Sequence, residues 1–189
     1  MILSADRCVS YDLYAVKIGG VVEPFVALVV VTAVAWGIAV RTGRTRREVL
    51  ALALRWGVGV MFAMTGVSHF VGMRADLVAM VPDWAPAPGL LVTLTGVLEL
   101  AGAAGMLVRA LVPWAGLGLS ALLVALFPAN VHLALTGDDL AWWDELVPRT
   151  FMQGVFLAAT VTVTALGFAA RRRGPTARPA PVDTARLAP

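Results

Sequence analysis

The stretch Pro88–Leu107 constrains this chain more than any other. It is 20 residues long, and as a helix it spans about 30 Å, the hydrocarbon thickness of a bilayer. Between Thr93 and Met106 it reads Thr-Leu-Thr-Gly-Val-Leu-Glu-Leu-Ala-Gly-Ala-Ala-Gly-Met, with Glu99 as its one charge. Glu99 follows Pro88 by eleven residues, which puts it roughly 16 Å into the helix, close to the midplane. A carboxylate at that depth costs about 3 kcal/mol on insertion scales, so it must face protein or a polar cavity and have a partner. Thr95 and Gly96 precede it, and Gly102 follows it, at helical spacing on the same face. Small residues around the acid let a neighbouring helix come close. The other helices are expected to pack around this one and supply polar groups to it.

The rest of the chain repeats the pattern. Of its 189 residues 14% are charged, against about 25% in a soluble domain; with a mean hydropathy of +0.82 this is an integral membrane protein. A pI near 9.7 would suggest nucleic acid in a soluble chain. Here the arginines flank apolar segments, so they read as orientation signals and no nucleic-acid partner is expected.

Five segments are predicted: Val21–Val40, about Leu50–Phe70, Pro88–Leu107, about Pro113–Leu135 and about Arg149–Ala170. Each is long and apolar enough to span a bilayer. Residues 1–20 form an N-terminal segment with no long apolar core and no small-residue cleavage site, so no cleaved signal peptide is expected. Cys8 is the only cysteine, which excludes an internal disulfide and a CxxC pair. Residues 171–189 begin Arg-Arg-Arg and continue rich in Pro, Ala and Thr, a tail that lacks the apolar residues for a core and is expected to be disordered. Arginines cluster after the first, third and fifth segments, beginning with Arg41-Thr-Gly-Arg-Thr-Arg-Arg47. The opposite loops carry mainly Asp, Glu and Trp. The positive-inside rule then predicts the N-terminus outside and the C-terminus in the cytoplasm. Trp84, Trp142 and Trp143 fit an aromatic belt at the outer surface, or more sharply a lid over an outer pocket.

In this topology the polar residues of four helices fall in the outer half. They are Thr65, Ser68 and His69 of the second segment, Glu99 of the third, Asn130 and His132 of the fourth, and Arg149 and Gln153 of the fifth. The inner halves are nearly pure hydrocarbon. Pro128 frees the carbonyl of Val124 and kinks its helix. Freed backbone inside a membrane must be satisfied by protein or water, so a local cavity is expected there.

Each residue has a plain role as well: Glu99 as a paired structural acid, the histidines as interfacial anchors, Asn130 and Gln153 as interhelical glue, Arg149 as a loop cap. Together they read as a pocket for a small amphipathic molecule with its tail in lipid, or as a proton relay. Glu99 and His69 are the candidates for handling protons. Thr65, Asn130, His132, Arg149 and Gln153 are the candidates for holding a polar head. No metal site is expected, and two histidines without a ligand motif are a weak basis for haem.

Four motifs carry a family resemblance: Gly66-Val-Ser-His-Phe70, Thr95-Gly-Val-Leu-Glu-Leu-Ala-Gly102, Phe127-Pro-Ala-Asn-Val-His132 and Pro148-Arg-Thr-Phe-Met-Gln153. In this order and spacing the chain resembles the DoxX-like family of small bacterial membrane proteins over about Leu50–Ala170. The resemblance implies an all-α, DoxX-like four-helix bundle at about 50–170, preceded by one extra transmembrane helix at 21–40, in the bacterial cytoplasmic membrane. It also implies quinone-linked redox work, since some members are named for a subunit of a thiosulfate:quinone oxidoreductase. The motif positions carried over are His69, Glu99, Asn130, His132, Arg149 and Gln153. Arg149-Thr-Phe stands where an arginine, an apolar residue and a proline often precede the glutamine. The CxxC pair of similar four-helix quinone reductases is absent, so disulfide chemistry is not implied.

The function expected is a redox-associated membrane protein with a quinone-like or other amphipathic ligand in the outer pocket. Whether it is an enzyme is left open, because no residue set supplies an electron carrier. Two alternatives remain. One is an accessory subunit or homo-oligomer whose small-residue faces (Gly59/Ala63, Ala101/Gly105, Gly116/Ser120, Gly154/Ala158) pack helices within the chain or against a membrane or extracytoplasmic partner. The other is a small transporter or proton pathway, against which the oily inner half argues.

Overall fold

The computed structural model describes residues 22–137 and 140–173. The expectations for residues 1–20, Cys8 and the tail beyond Arg173 lie outside the described residues. Six α-helices follow one another: α1 Val22–Ala39, α2 Arg46–Ser68, α3 Arg74–Ala79, α4 Pro88–Leu107, α5 Val112–Thr136 and α6 Leu146–Arg172. There is no strand among the described residues. All but α3 are long and apolar enough to cross a membrane.

The ends of these helices follow local chemistry. Thr45 caps α2 in a reciprocal box: its hydroxyl takes the Glu48 amide at 3.4 Å and the Glu48 carboxylate takes the Thr45 amide at 2.9 Å. This box starts the helix at Arg46, four residues before the expected Leu50, which the polar run Arg46-Arg-Glu hides from a hydropathy reading. Pro88 sits in the first turn of α4, where its missing N–H costs nothing. The last carbonyls of α4, those of Met106 and Leu107, are taken by the Arg55 guanidinium. Arg171 likewise reaches the Ala110 carbonyl at 2.8 Å. These arginines therefore cap backbone as well as flanking the apolar segments.

Short connections make neighbouring long helices antiparallel. α2 packs on α4, α4 on α5, α5 on α6 and α6 back on α2, which closes a ring of four. α1 lies outside the ring against α2. Its valines Val26, Val29, Val30 and Val34 stay exposed, as suits a face turned to lipid tails. The ring is filled by Val58, Met61, Phe62, Met106, Leu119 and Val163, none more than 2% exposed.

Small residues set the distance between helices. A methyl on Gly96 would stand 2.5 Å from the His69 Cβ, so the α4 backbone lies directly against the side chain that ends α2, beside Glu99. Gly66 meets Leu100 in the same seam, and Gly105 meets Ala115 across α4 and α5. On α6 the expected Gly154/Ala158 face does not pack within the chain. Both residues are exposed, and nothing lies within 4 Å of a Cβ built on Gly154. A helix with apolar residues all round cannot show from sequence which side meets protein, and here α6 is rolled so that Phe156, Ala159 and Val163 face inward.

Candidate functional site

The helix ends remote from the arginine clusters surround a cavity of about 540 Å³. Its lower wall is α2 and α4. At the end of α2, the His69 Nδ1 lies 2.8 Å from the Thr65 carbonyl, one turn earlier. Across the seam opened by Gly96, the Glu99 Oε2 stands 3.8 Å from the same Nδ1. That is charge-pair distance but too long for a hydrogen bond. Glu99 is 4% exposed, His69 is 6% exposed, and Glu99 Oε2 has no hydrogen-bond partner. Such an atom in an apolar setting is costly and points to a missing partner.

The other wall is α5 and α6, joined by a chain of polar side chains. Arg149 donates to the Asn130 Oδ1 at 2.8 Å, and Asn130 donates to the Gln153 Oε1 at 3.1 Å. Gln153 in turn donates to the Leu123 carbonyl at 2.7 Å. The far end of the chain is Asp144, whose carboxylate takes the Arg149 Nη2 at 2.9 Å. Pro128 lies within α5 as the sequence requires, but the carbonyl that Gln153 takes is that of Leu123 and not the Val124 carbonyl that the proline frees.

Six of the seven expected site residues line this cavity: Thr65, His69, Glu99, Asn130, Arg149 and Gln153. His132 does not. It lines an adjoining, more open groove with Asp83, Trp84, Phe127, Pro128 and Val131, which shares Trp84 and Pro128 with the cavity. The two-residue step from Asn130 to His132 turns the helix by about 200°, which carries the imidazole away from the cavity. The two histidines thus belong to different sites, and no group of three or more His, Cys, Asp or Glu able to hold a metal occurs among the described residues.

Sequence reasoning missed several residues that matter here. Asp144 sat unremarked in a polar loop, five residues before Arg149. The connection between the second and third expected segments contains α3, which with its flanking residues brings Met73, Leu77 and Met80 to the cavity. Their spacing of four and three was the available signal. Arg74 pins this cover through the His69 and Gly89 carbonyls at 3.2 and 3.1 Å and the Thr93 hydroxyl at 2.9 Å. Gly72, at φ +82°, makes the turn into the cover, a conformation open to glycine at little cost. Of seven methionines in the chain, Met61, Met64, Met73 and Met80 line the cavity, giving it a soft, adaptable apolar surface. Glu23 and Pro24 of α1 complete the rim. Trp84 and Trp142 are exposed at this end, at 77% and 67%, as an interfacial belt requires, whereas Trp143 is partly buried and packs onto the hydrophobic core.

Chemically, the site offers a buried carboxyl with one unpartnered oxygen and an imidazole on one side. On the other is a guanidinium already neutralised by Asp144. Between them lies apolar volume suited to a ring or chain. Residues 58–164 match the model of a family described as a domain of unknown function, DUF8561. No curated protein and no solved structure matches the chain. The matched stretch runs from within α2 to within α6, takes in every residue of the cavity wall just described except those of α1, and covers more than half the chain, so the protein belongs to the DUF8561 family.

Proposed function

We propose that this is a redox-associated membrane protein that holds a quinone-like or other small amphipathic molecule in the cavity beneath α3. The observation that carries the reading is Glu99: a buried carboxyl oxygen without a partner, in the wall of an apolar cavity of about 540 Å³. A site of that size with few polar groups suits a small ligand with one polar end. The resemblance to DoxX-like proteins supports the quinone and the redox association. In this reading Glu99 and His69 exchange protons with the head group, Thr65 shapes the wall beside them, and Arg149, Asn130 and Gln153 hold the opposite side rigid. Any electron carrier is the ligand itself or a partner protein.

The arginine distribution supports an N-out, C-in orientation in a bacterial cytoplasmic membrane, with the cavity facing the outer leaflet. The test is mass spectrometry of lipophilic molecules that co-purify with wild type and with Glu99→Gln. A defined amphiphile in the wild type that disappears in the variant supports the reading. Bulk phospholipid in both removes its main support.

A second reading, an accessory subunit, is favoured by one observation: Arg149, Asn130 and Gln153 partner one another and Asp144, so they serve as interhelical glue without a ligand. The transporter reading is weakened by the solid core of Met61, Phe62, Met106 and Leu119 below the cavity.

A further inference from the structure

The hydrogen bonds around the cavity restrict what its ligand can be. The His69 Nδ1 faces the Thr65 carbonyl at 2.8 Å. A carbonyl only accepts, so the ring hydrogen sits on Nδ1 and is committed to Thr65. In the neutral ring, Nε2 is then a lone pair, an acceptor. It has no hydrogen-bond partner among the described residues. Glu99, with Oε2 at 3.8 Å from Nδ1, does not receive that hydrogen, and in its carboxylate form it contributes a second acceptor.

The hydroxyl donors of the α2 and α4 wall are spent locally. The Thr65 hydroxyl stands between the Phe62 carbonyl, at 3.3 Å, and the Glu99 carboxyl, and the Ser68 hydroxyl turns to the Thr65 carbonyl at 2.6 Å. The Thr95 hydroxyl turns to the Leu91 and Val92 carbonyls at 2.9 and 3.1 Å. On the opposite wall Arg149 directs both terminal nitrogens to Asn130 and Asp144 and keeps one buried donor, Nε, without a partner. The side of the cavity formed by α2 and α4 thus presents acceptors and keeps its donors to itself.

We infer that the ligand's head group is a hydrogen-bond donor, a hydroxyl on an apolar body, and that the cavity takes a hydroquinone in preference to the corresponding quinone. This rests on the amphipathic-ligand reading above and adds to it the oxidation state bound. A quinone brings two carbonyl acceptors to a wall of acceptors. A hydroquinone places a hydroxyl hydrogen on Nε2 or on the Glu99 carboxyl, where a buried acceptor otherwise goes unmet.

The test is anaerobic calorimetric titration of the purified full chain in lipid nanodiscs with three probes: a decyl-tailed hydroquinone, its quinone and its dimethyl ether. The expected result is saturable binding of the hydroquinone, about tenfold or more tighter than either of the others, the worth of one good hydrogen bond. His69→Phe, checked for an unchanged unfolding midpoint, is expected to shrink that preference. Equal binding of all three probes, or tighter binding of the quinone, overturns the donor rule and leaves the amphipathic cavity standing. No saturable binding by any probe overturns both. The probe series is read on the wild-type protein, so it does not depend on a variant folding.

Discussion

Arg149 and Asp144 form an ion pair at 2.9 Å with both side chains largely withdrawn from the surface, one at the start of α6 and the other in the turn before it. The pair neutralises the one guanidinium in the cavity wall and fixes it against Asn130. Replacing Asp144 with Asn leaves that charge uncompensated, and breaking a buried pair from one side costs about 3 kcal/mol or more. Reversible unfolding in mixed detergent is expected to show a loss of that order for Asp144→Asn. A midpoint unchanged from wild type would mean that water, not Asp144, holds Arg149.

Glu99 behaves oppositely if it is a ligand group. Its Oε2 has no hydrogen-bond partner, so conversion to the neutral amide removes a cost of burial and breaks no bond at that oxygen. Glu99→Gln in ligand-stripped protein is expected to unfold at the same temperature as wild type or higher. A clear loss of stability would identify Glu99 as a structural acid and favour the accessory-subunit reading.

Two glycines separate packed from unpacked helix faces. A methyl at Gly96 stands 2.5 Å from His69 Cβ, so Gly96→Ala forces α2 and α4 apart at about 1–3 kcal/mol. Gly154 has open space around it, so Gly154→Ala is expected to change stability by less than about 1 kcal/mol, in the direction of greater helix propensity. The same unfolding measurement checks both. A destabilising Gly154→Ala would reveal a partner seated on that face.

Asn130 and Gln153 act as one unit, because each depends on the other at 3.1 Å and Gln153 holds the Leu123 carbonyl. Asn130→Ala and Gln153→Ala are expected to be non-additive, the double variant costing less than the two singles together by about 0.5–2 kcal/mol. Full additivity in a double-mutant cycle would show that the two amides do not share a network.

The proposed N-out, C-in orientation predicts a labelling pattern. In a Cys8→Ser background, Trp142→Cys is expected to react with a membrane-impermeant maleimide in intact cells. Arg44→Cys is expected to react only after permeabilisation. The reverse pattern would invert the topology and turn the cavity toward the cytoplasm.

Much of the fold is legible in the residues one by one. Pro88–Leu107 is bounded by a proline at a helix start and by the end of an apolar run, and the helix observed has those same limits. The segregation of Thr65, His69, Glu99, Asn130, Arg149 and Gln153 toward one end follows from their positions along their helices, which sequence specifies directly. The start of α2 was harder to read, because a capping box in a charged run carries no hydropathy signal.

Sequence alone determined five membrane-length helices and the end of the bundle where polar groups gather, because apolar length and position along a helix are properties of a local stretch. Only the tertiary structure decided how each helix is rolled about its axis and what meets what across the gaps. It turned His132 into an adjoining groove, left Gly154 without a neighbour within the chain, paired Arg149 with Asp144 and laid α3 over the cavity. In an almost wholly apolar helix every side is acceptable to lipid. Rotation is therefore set by close packing at glycines such as Gly96 and by polar side chains finding one another, and both depend on residues distant in the chain.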